Sequence, residues 1–108
     1  MPVWHKTLID RFATLPMYQQ VIMVANELNR AQNMLTVPHE YRNALERALE
    51  LTDFLSADAR WRHKLKEVRR AREMMAMFYH DPQPRDTQLL QRCFIQLDCE
   101  AWRYLNFR

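Results

Sequence analysis

Glycine is absent from this chain of 108 residues. Motifs that use glycine to bring backbone against a phosphate, or to seat a nucleophile on a tight turn, are therefore excluded. These are the P-loop, the GxGxxG fingerprint and the GxSxG elbow. Serine occurs once, at Ser56, which leaves little room for serine chemistry. The two cysteines, Cys93 and Cys99, are six positions apart in a helical segment. They point about 120° apart and so cannot bridge each other there. They read as small apolar residues at or near a core, in a reducing compartment. No charged leader with an apolar stretch opens the chain, and no apolar run approaches the ~20 residues of a membrane span. A soluble, cytoplasmic protein is expected.

Hydrophobic residues make up 48% and charged residues 27%. That supplies one packed core and too little polar bias for disorder. A single domain, residues 1–108, is expected at this length. No long stretch alternates apolar with polar residues. Apolar positions recur at three and four instead, the period of a helix with one face on a core.

Punctuation divides the pattern into four helices. The first runs from about Pro2 to Leu35 with a break or kink at Pro16, because proline has no amide hydrogen and disfavours an α conformation at Leu15. Its stripe is Tyr18, Val21, Ala25, Leu28, Gln32 and Leu35, widened by Ile22 and Val24. Trp4, Leu8 and Phe12 form a stripe of their own, so residues 1–15 read as a separate N-terminal helix. Pro38 suits the first position of the second helix, which carries Tyr41, Ala44, Leu45, Ala48, Leu51 and Leu55. Ser56 is the expected N-cap of the third, with Asp58 in its first turn. That interruption is slight enough for helices two and three to be a kinked pair or one rod. Trp61, Leu65, Val68, Arg72 and Met75 continue the stripe until Asp81-Pro82-Gln83-Pro84. The fourth helix starts near Arg85 to Thr87 and carries Leu90, Phe94, Leu97, Ala101 and Leu105, with Trp102 and Tyr104 flanking. Short connections favour antiparallel neighbours, so the expected fold is all-α: an up-down-up-down four-helix bundle.

Charge is distributed unevenly. Residues 60–72 hold seven Lys or Arg and one Glu, a local +6, within a chain of net +3. Local concentration matters more than net charge for attracting a polyanion. Arg62, Lys66 and Arg69 follow i, i+4, i+7 and form one row, with Arg70 beside it and Arg60 opening the run. Such a row can hold a nucleic-acid backbone, since guanidinium pairs bidentately with phosphate and binding releases counterions. The plainer reading is a solvated face partly paired with Glu46, Glu50, Asp98 and Glu100.

Other candidates carry less. Met74, Met75, Met77, Phe78 and Tyr79 span more than one helical face. With Trp4, Trp102 and Phe107 they exceed what one small bundle buries, which implies an oligomer or a partner interface. Arg72 lies within a core stripe and must snorkel or reach a carboxylate on a neighbouring helix or subunit. His63 and Glu67 make half a metal site, but the remaining histidines, His5, His39 and His80, supply no second pair at ligand spacing. No nucleophile stands beside a base and no carboxylates pair. Neither metal, cofactor nor enzymatic activity is expected.

The stretch from His39 to Leu51, the segment Lys64-Leu-Lys-Glu-Val-Arg-Arg-Ala-Arg-Glu-Met-Met and a closing helix with Trp102 near its end resemble a family of small four-helix-bundle proteins. It comprises the Avd accessory proteins of diversity-generating retroelements and related proteins encoded within ribosomal RNA intervening sequences. The similarity spans roughly residues 17–105 and lies in helix layout and in Leu and Arg placement. The family's last helix has glycine ahead of its tryptophan where this chain has Ala101. The resemblance implies a pentameric barrel of bundles and a basic surface that binds nucleic acid and a reverse transcriptase, with Arg62, Lys66, Arg69 and Arg70 matching the basic third helix. The expected function is a non-enzymatic nucleic-acid-binding accessory protein. A protein–protein adaptor or inhibitor, of the kind phages encode, whose basic face docks on an acidic partner, is the alternative.

Overall fold

The computed structural model describes residues 6–98 and Arg103, the first four of these by backbone alone. Five α-helices appear: α1 (Lys6–Thr14), α2 (Met17–Gln32), α3 (Pro38–Ala57), α4 (Leu65–His80) and α5 (Gln88–Ile95). A 3₁₀ segment, Ala59–Lys64, joins α3 to α4, and no strand occurs among the described residues. None of the helices among these residues is long and apolar enough to cross a membrane.

Proline sets the first two boundaries. Pro16, at φ −56° and ψ 151°, separates α1 from α2, as its missing N–H and its effect on Leu15 require. The short helix ahead of it is a distinct element, and its Phe12 is buried. Trp4 and the Leu8 side chain lie outside what is described. Pro38 opens α3, where the absent amide hydrogen is no loss because the first amides of a helix have no intrahelical partner.

The core follows the stripes. Val21, Val24, Ala25 and Leu28 of α2 are buried, as are Tyr41, Ala44, Leu45, Ala48, Leu51 and Leu55 of α3. Trp61, Val68 and Met75 join them, with Leu90 and Phe94 of α5. The α2 helix packs along α3 and α5, while α3 also packs along α4. Truncating Leu45 or Leu55 to Ala would remove contacts on several sides and cost about 2–5 kcal/mol. Side-chain hydrogen bonds fix the approach to α5. Thr87 Oγ1 donates to the Leu28 carbonyl at 2.7 Å, and the Thr87 amide donates to Gln32 Oε1 at 2.8 Å. Tyr41 Oη donates to the Arg85 carbonyl and accepts from its amide, at 3.0 and 3.1 Å.

Three expectations need correction. Ser56 is not an N-cap: it lies inside α3 and its hydroxyl donates back to the Thr52 carbonyl at 2.9 Å, a bond available to any helical serine. Asp58 is the cap. It adopts an extended conformation (φ −80°, ψ 123°) and accepts from the Arg60 amide at 2.9 Å. The one-rod alternative therefore does not hold. Second, Arg62 precedes α4. The 3₁₀ segment turns about 120° per residue instead of 100°, so Arg62 does not share a continuous α-helical row with Lys66 and Arg69. Third, Cys93, expected as a small apolar residue at or near the core, is exposed; its thiol is free. The fourth-helix stripe is buried at Leu90 and Phe94 and half-buried at Leu97. Cys99, Ala101, Trp102, Tyr104, Leu105 and Phe107 lie outside the described residues.

Candidate nucleic-acid interface

The inner side of α4 is fixed by Val68, Ala71 and Met75, all buried. That places Lys66, Arg69 and Arg70 on the outside, where all three are exposed. Arg62, ahead of the helix, is exposed too. None of these four cations forms an ion pair with a described residue. Of the acids expected to neutralise the face, Glu46 instead accepts from the Tyr79 hydroxyl. Glu50 is buried, Asp98 is half-buried and Glu100 lies outside the described residues.

Lys66, Arg69 and Arg70 converge on one surface furrow of about 340 Å³, together with Leu65 and Glu73. Three cations thus share a depression with a single carboxylate. The helix adds to the field. Lys66 and, just ahead of it, Arg62 and Lys64 stand at the N-terminal end of α4, where unpaired amides carry a partial positive charge of roughly half an electron. Each of these cations is at the end where a helix favours anions. The local potential is therefore more positive than the side chains alone would make it.

Arg60 differs from the other four. Its guanidinium forks onto Asp58, with Nη2 to Oδ2 at 2.7 Å and Nε to Oδ1 at 3.1 Å, and Nη2 also donates to the Ala13 carbonyl at 3.2 Å. Arg60 holds the 3₁₀ segment to the end of α1. Asp58 is held at about 2, chiefly by the Arg60 hydrogen bonds and secondarily by Gln20. Arg72 is also engaged: it forks onto Asp53 of α3 at 2.9 and 3.3 Å, the carboxylate on a neighbouring helix that its place in the stripe required.

Sequence reasoning missed Gln20. It is fully buried. Its Nε2 donates to the Phe12 carbonyl at 3.0 Å and to Asp58 Oδ2 at 3.3 Å, while Oε1 accepts from Trp61 Nε1 at 2.8 Å. One amide thus ties α1, α2 and the 3₁₀ segment together and positions the start of the basic run. Gln20 adjoins Val21 on the apolar side of α2, a signal available in the sequence.

The histidines do not gather. His63 is exposed, His39 faces Asn43 and the His80 ring meets Tyr79 edge-on. No group of three or more His, Cys, Asp or Glu among the described residues could hold a metal ion. Outside the basic face, Met77 and Leu89 are 65% and 67% exposed, and the Arg85 guanidinium covers the Phe78 ring at 4.5 Å.

The described chain is thus an all-helical protein with an unneutralised cationic face on one helix. It matches no protein-family model, no curated protein and no solved structure.

Proposed function

We propose that this chain is a non-enzymatic accessory protein that binds the phosphate backbone of a nucleic acid through Arg62, Lys66, Arg69 and Arg70. The observation that carries the reading is the joint exposure of four cations with no ion pair to a described residue. Exposed Lys and Arg normally have acids of opposite sign interspersed among them. A face left so positive has greatest use against a polyanion. Arg60, occupied by Asp58, takes no part in the contact.

The architecture in this reading is an up-down-up-down antiparallel four-helix bundle formed by α2, α3, α4 and α5. Support comes from the packing of successive helices on one another and of α5 on α2, with short connections between them. The resemblance to the Avd accessory proteins supports a reverse transcriptase as partner and a pentameric homo-oligomer. Exposed Met77 and Leu89 support self-association. The free, exposed Cys93 suits a reducing cytoplasm.

Filter binding of labelled RNA and DNA across a salt series tests the reading. Four backbone contacts give a slope of log affinity against log salt of about −3 to −4. The double substitution Lys66→Glu, Arg69→Glu is expected to flatten that slope by about 2 and weaken binding at every salt concentration. Unchanged affinity in the double variant would remove the reading. Absence of any nucleic-acid binding, with one acidic protein captured instead, would establish the adaptor alternative.

A further inference from the structure

Arg70 belongs to two depressions at once. It lines the cationic furrow on α4 and also a groove of about 280 Å³ between α4 and the α5 end of the molecule. The two are chemically unlike. The furrow offers charge. The groove offers Ala71, Met74 and Leu97 as apolar lining, and Lys64, Glu67, Gln96 and the Cys93 thiol are also on it.

We propose that the protein takes single-stranded nucleic acid, with a base seated in the α4–α5 groove while the adjoining phosphates lie in the furrow. The proposal rests on the backbone-binding reading and adds the strandedness of the ligand. A duplex presents phosphates outward and keeps its bases stacked and paired, so it would use the furrow and leave the groove empty. An unpaired nucleotide carries its base within one residue of its phosphate, which is the juxtaposition that Arg70 makes. At about 280 Å³ the groove falls just under the ~300–1,000 Å³ of typical small-molecule clefts, a size for a flat ring. Its chemistry suits a ring as well. A methionine thioether adapts its shape and makes favourable sulfur–aromatic contacts, and the Arg70 guanidinium can stack on a base while pairing with phosphate. Contacts of this kind tolerate every base, so strand selectivity is expected without strong sequence preference.

Cys93 supplies the probe. In a Cys99→Ser background it is the single thiol and it lines the groove. The rate of its alkylation by a maleimide is measured alone, with an unstructured single strand (RNA in one arm, DNA in the other), with the duplex of the same sequence, and with inorganic polyphosphate. Saturating single strand is expected to slow alkylation at least several-fold, while duplex and polyphosphate leave it unchanged. A bulky maleimide already on Cys93 is expected to weaken single-strand binding about 5- to 150-fold, the worth of one stacked base, with the salt slope and duplex affinity unaltered. Equal affinity for single strand and duplex, with Cys93 unprotected by either and the bulky adduct harmless, overturns the base-binding groove while leaving the phosphate site standing. Indifference of all binding to salt and to Lys66→Glu, Arg69→Glu removes the phosphate site and this proposal with it.

Discussion

Asp58 does two things at the α3 boundary. It ends the helix by turning extended, and its carboxylate gathers Arg60 and Gln20. Its folded-state value of about 2 lies below the ordinary 3.8. A depressed carboxylate stabilises the fold above its unfolded value, and that contribution is lost as pH falls from about 4 through 2. The Arg60 side chain is 40% exposed, so solvent screening holds the charge contribution near about 1 kcal/mol. Asp58→Asn is therefore expected to lose about that much in urea unfolding at pH 7. The gap to the unsubstituted protein should close as the titration nears pH 2; a gap constant with pH contradicts the assignment. Gln20→Leu is expected to cost more, about 2–4 kcal/mol, because it strands the buried Trp61 indole N–H and removes the bonds to Phe12 and Asp58. Glu27 has the opposite sign. Burial raises its carboxyl above 4.5 despite Arg30 and Arg47 nearby, and its Oε2 accepts no hydrogen bond although Arg30 Nη1 is 3.6 Å away. Its charged form costs stability above the folded value and nothing below the unfolded one. Glu27→Gln should raise Tm at pH 7 and leave it unchanged near pH 4.

At the scale of the element, α4 carries a cost that its fold does not require. Lys66 and Arg70 stand at i, i+4, and like charges at that spacing cost a helix about 0.2–0.5 kcal/mol. Lys66→Glu converts the repulsion into an attractive pair and places an acid in the first turn, where the dipole favours it. The expected result is a Tm equal to or above that of the unsubstituted protein together with weaker nucleic-acid binding. A fall in both would mean that Lys66 serves the fold. The sequence was informative at this scale wherever helical period and proline acted together. The α3 stripe from Tyr41 to Leu55 and the break at Pro16 could be read directly, because periodicity and a missing amide act locally. The junction between α3 and α4 could not, since Ser56 and Asp58 are both good caps by residue type and the choice depends on Gln20, 38 positions away from Asp58. The exposure of Cys93 escaped for a related reason: a small residue beside a stripe is placed by the width of the neighbouring helices. The outward position of Lys66, Arg69 and Arg70 followed from Val68 and Met75 facing inward. The engagement of Arg60 did not, because its second partner is a backbone carbonyl on α1.

Across the molecule as a whole, several of the described acids are taken up in ion pairs. Asp53, Asp58 and Asp81 answer Arg72, Arg60 and Arg85, and Glu27 and Glu40 answer Arg30. Among the described cations outside these pairs, Lys66, Arg69 and Arg70 lie together on α4 with Arg62 just ahead of it, while Arg11, Arg42, Arg47 and Arg92 stand on other helices. Met77 and Leu89 are exposed large apolar residues, and if they carry the proposed self-association, replacing both by Lys lowers the mass in light scattering to that of the monomer; an unchanged mass, or a monomer before substitution, contradicts that proposal. The most direct test remains the titration of a labelled oligonucleotide at low and at physiological salt, with the unsubstituted protein and with Lys66→Glu, Arg69→Glu side by side. Affinity that falls steeply with added salt, and a double variant that binds weakly with a shallower dependence, is the outcome this account requires. Two indistinguishable curves would contradict it.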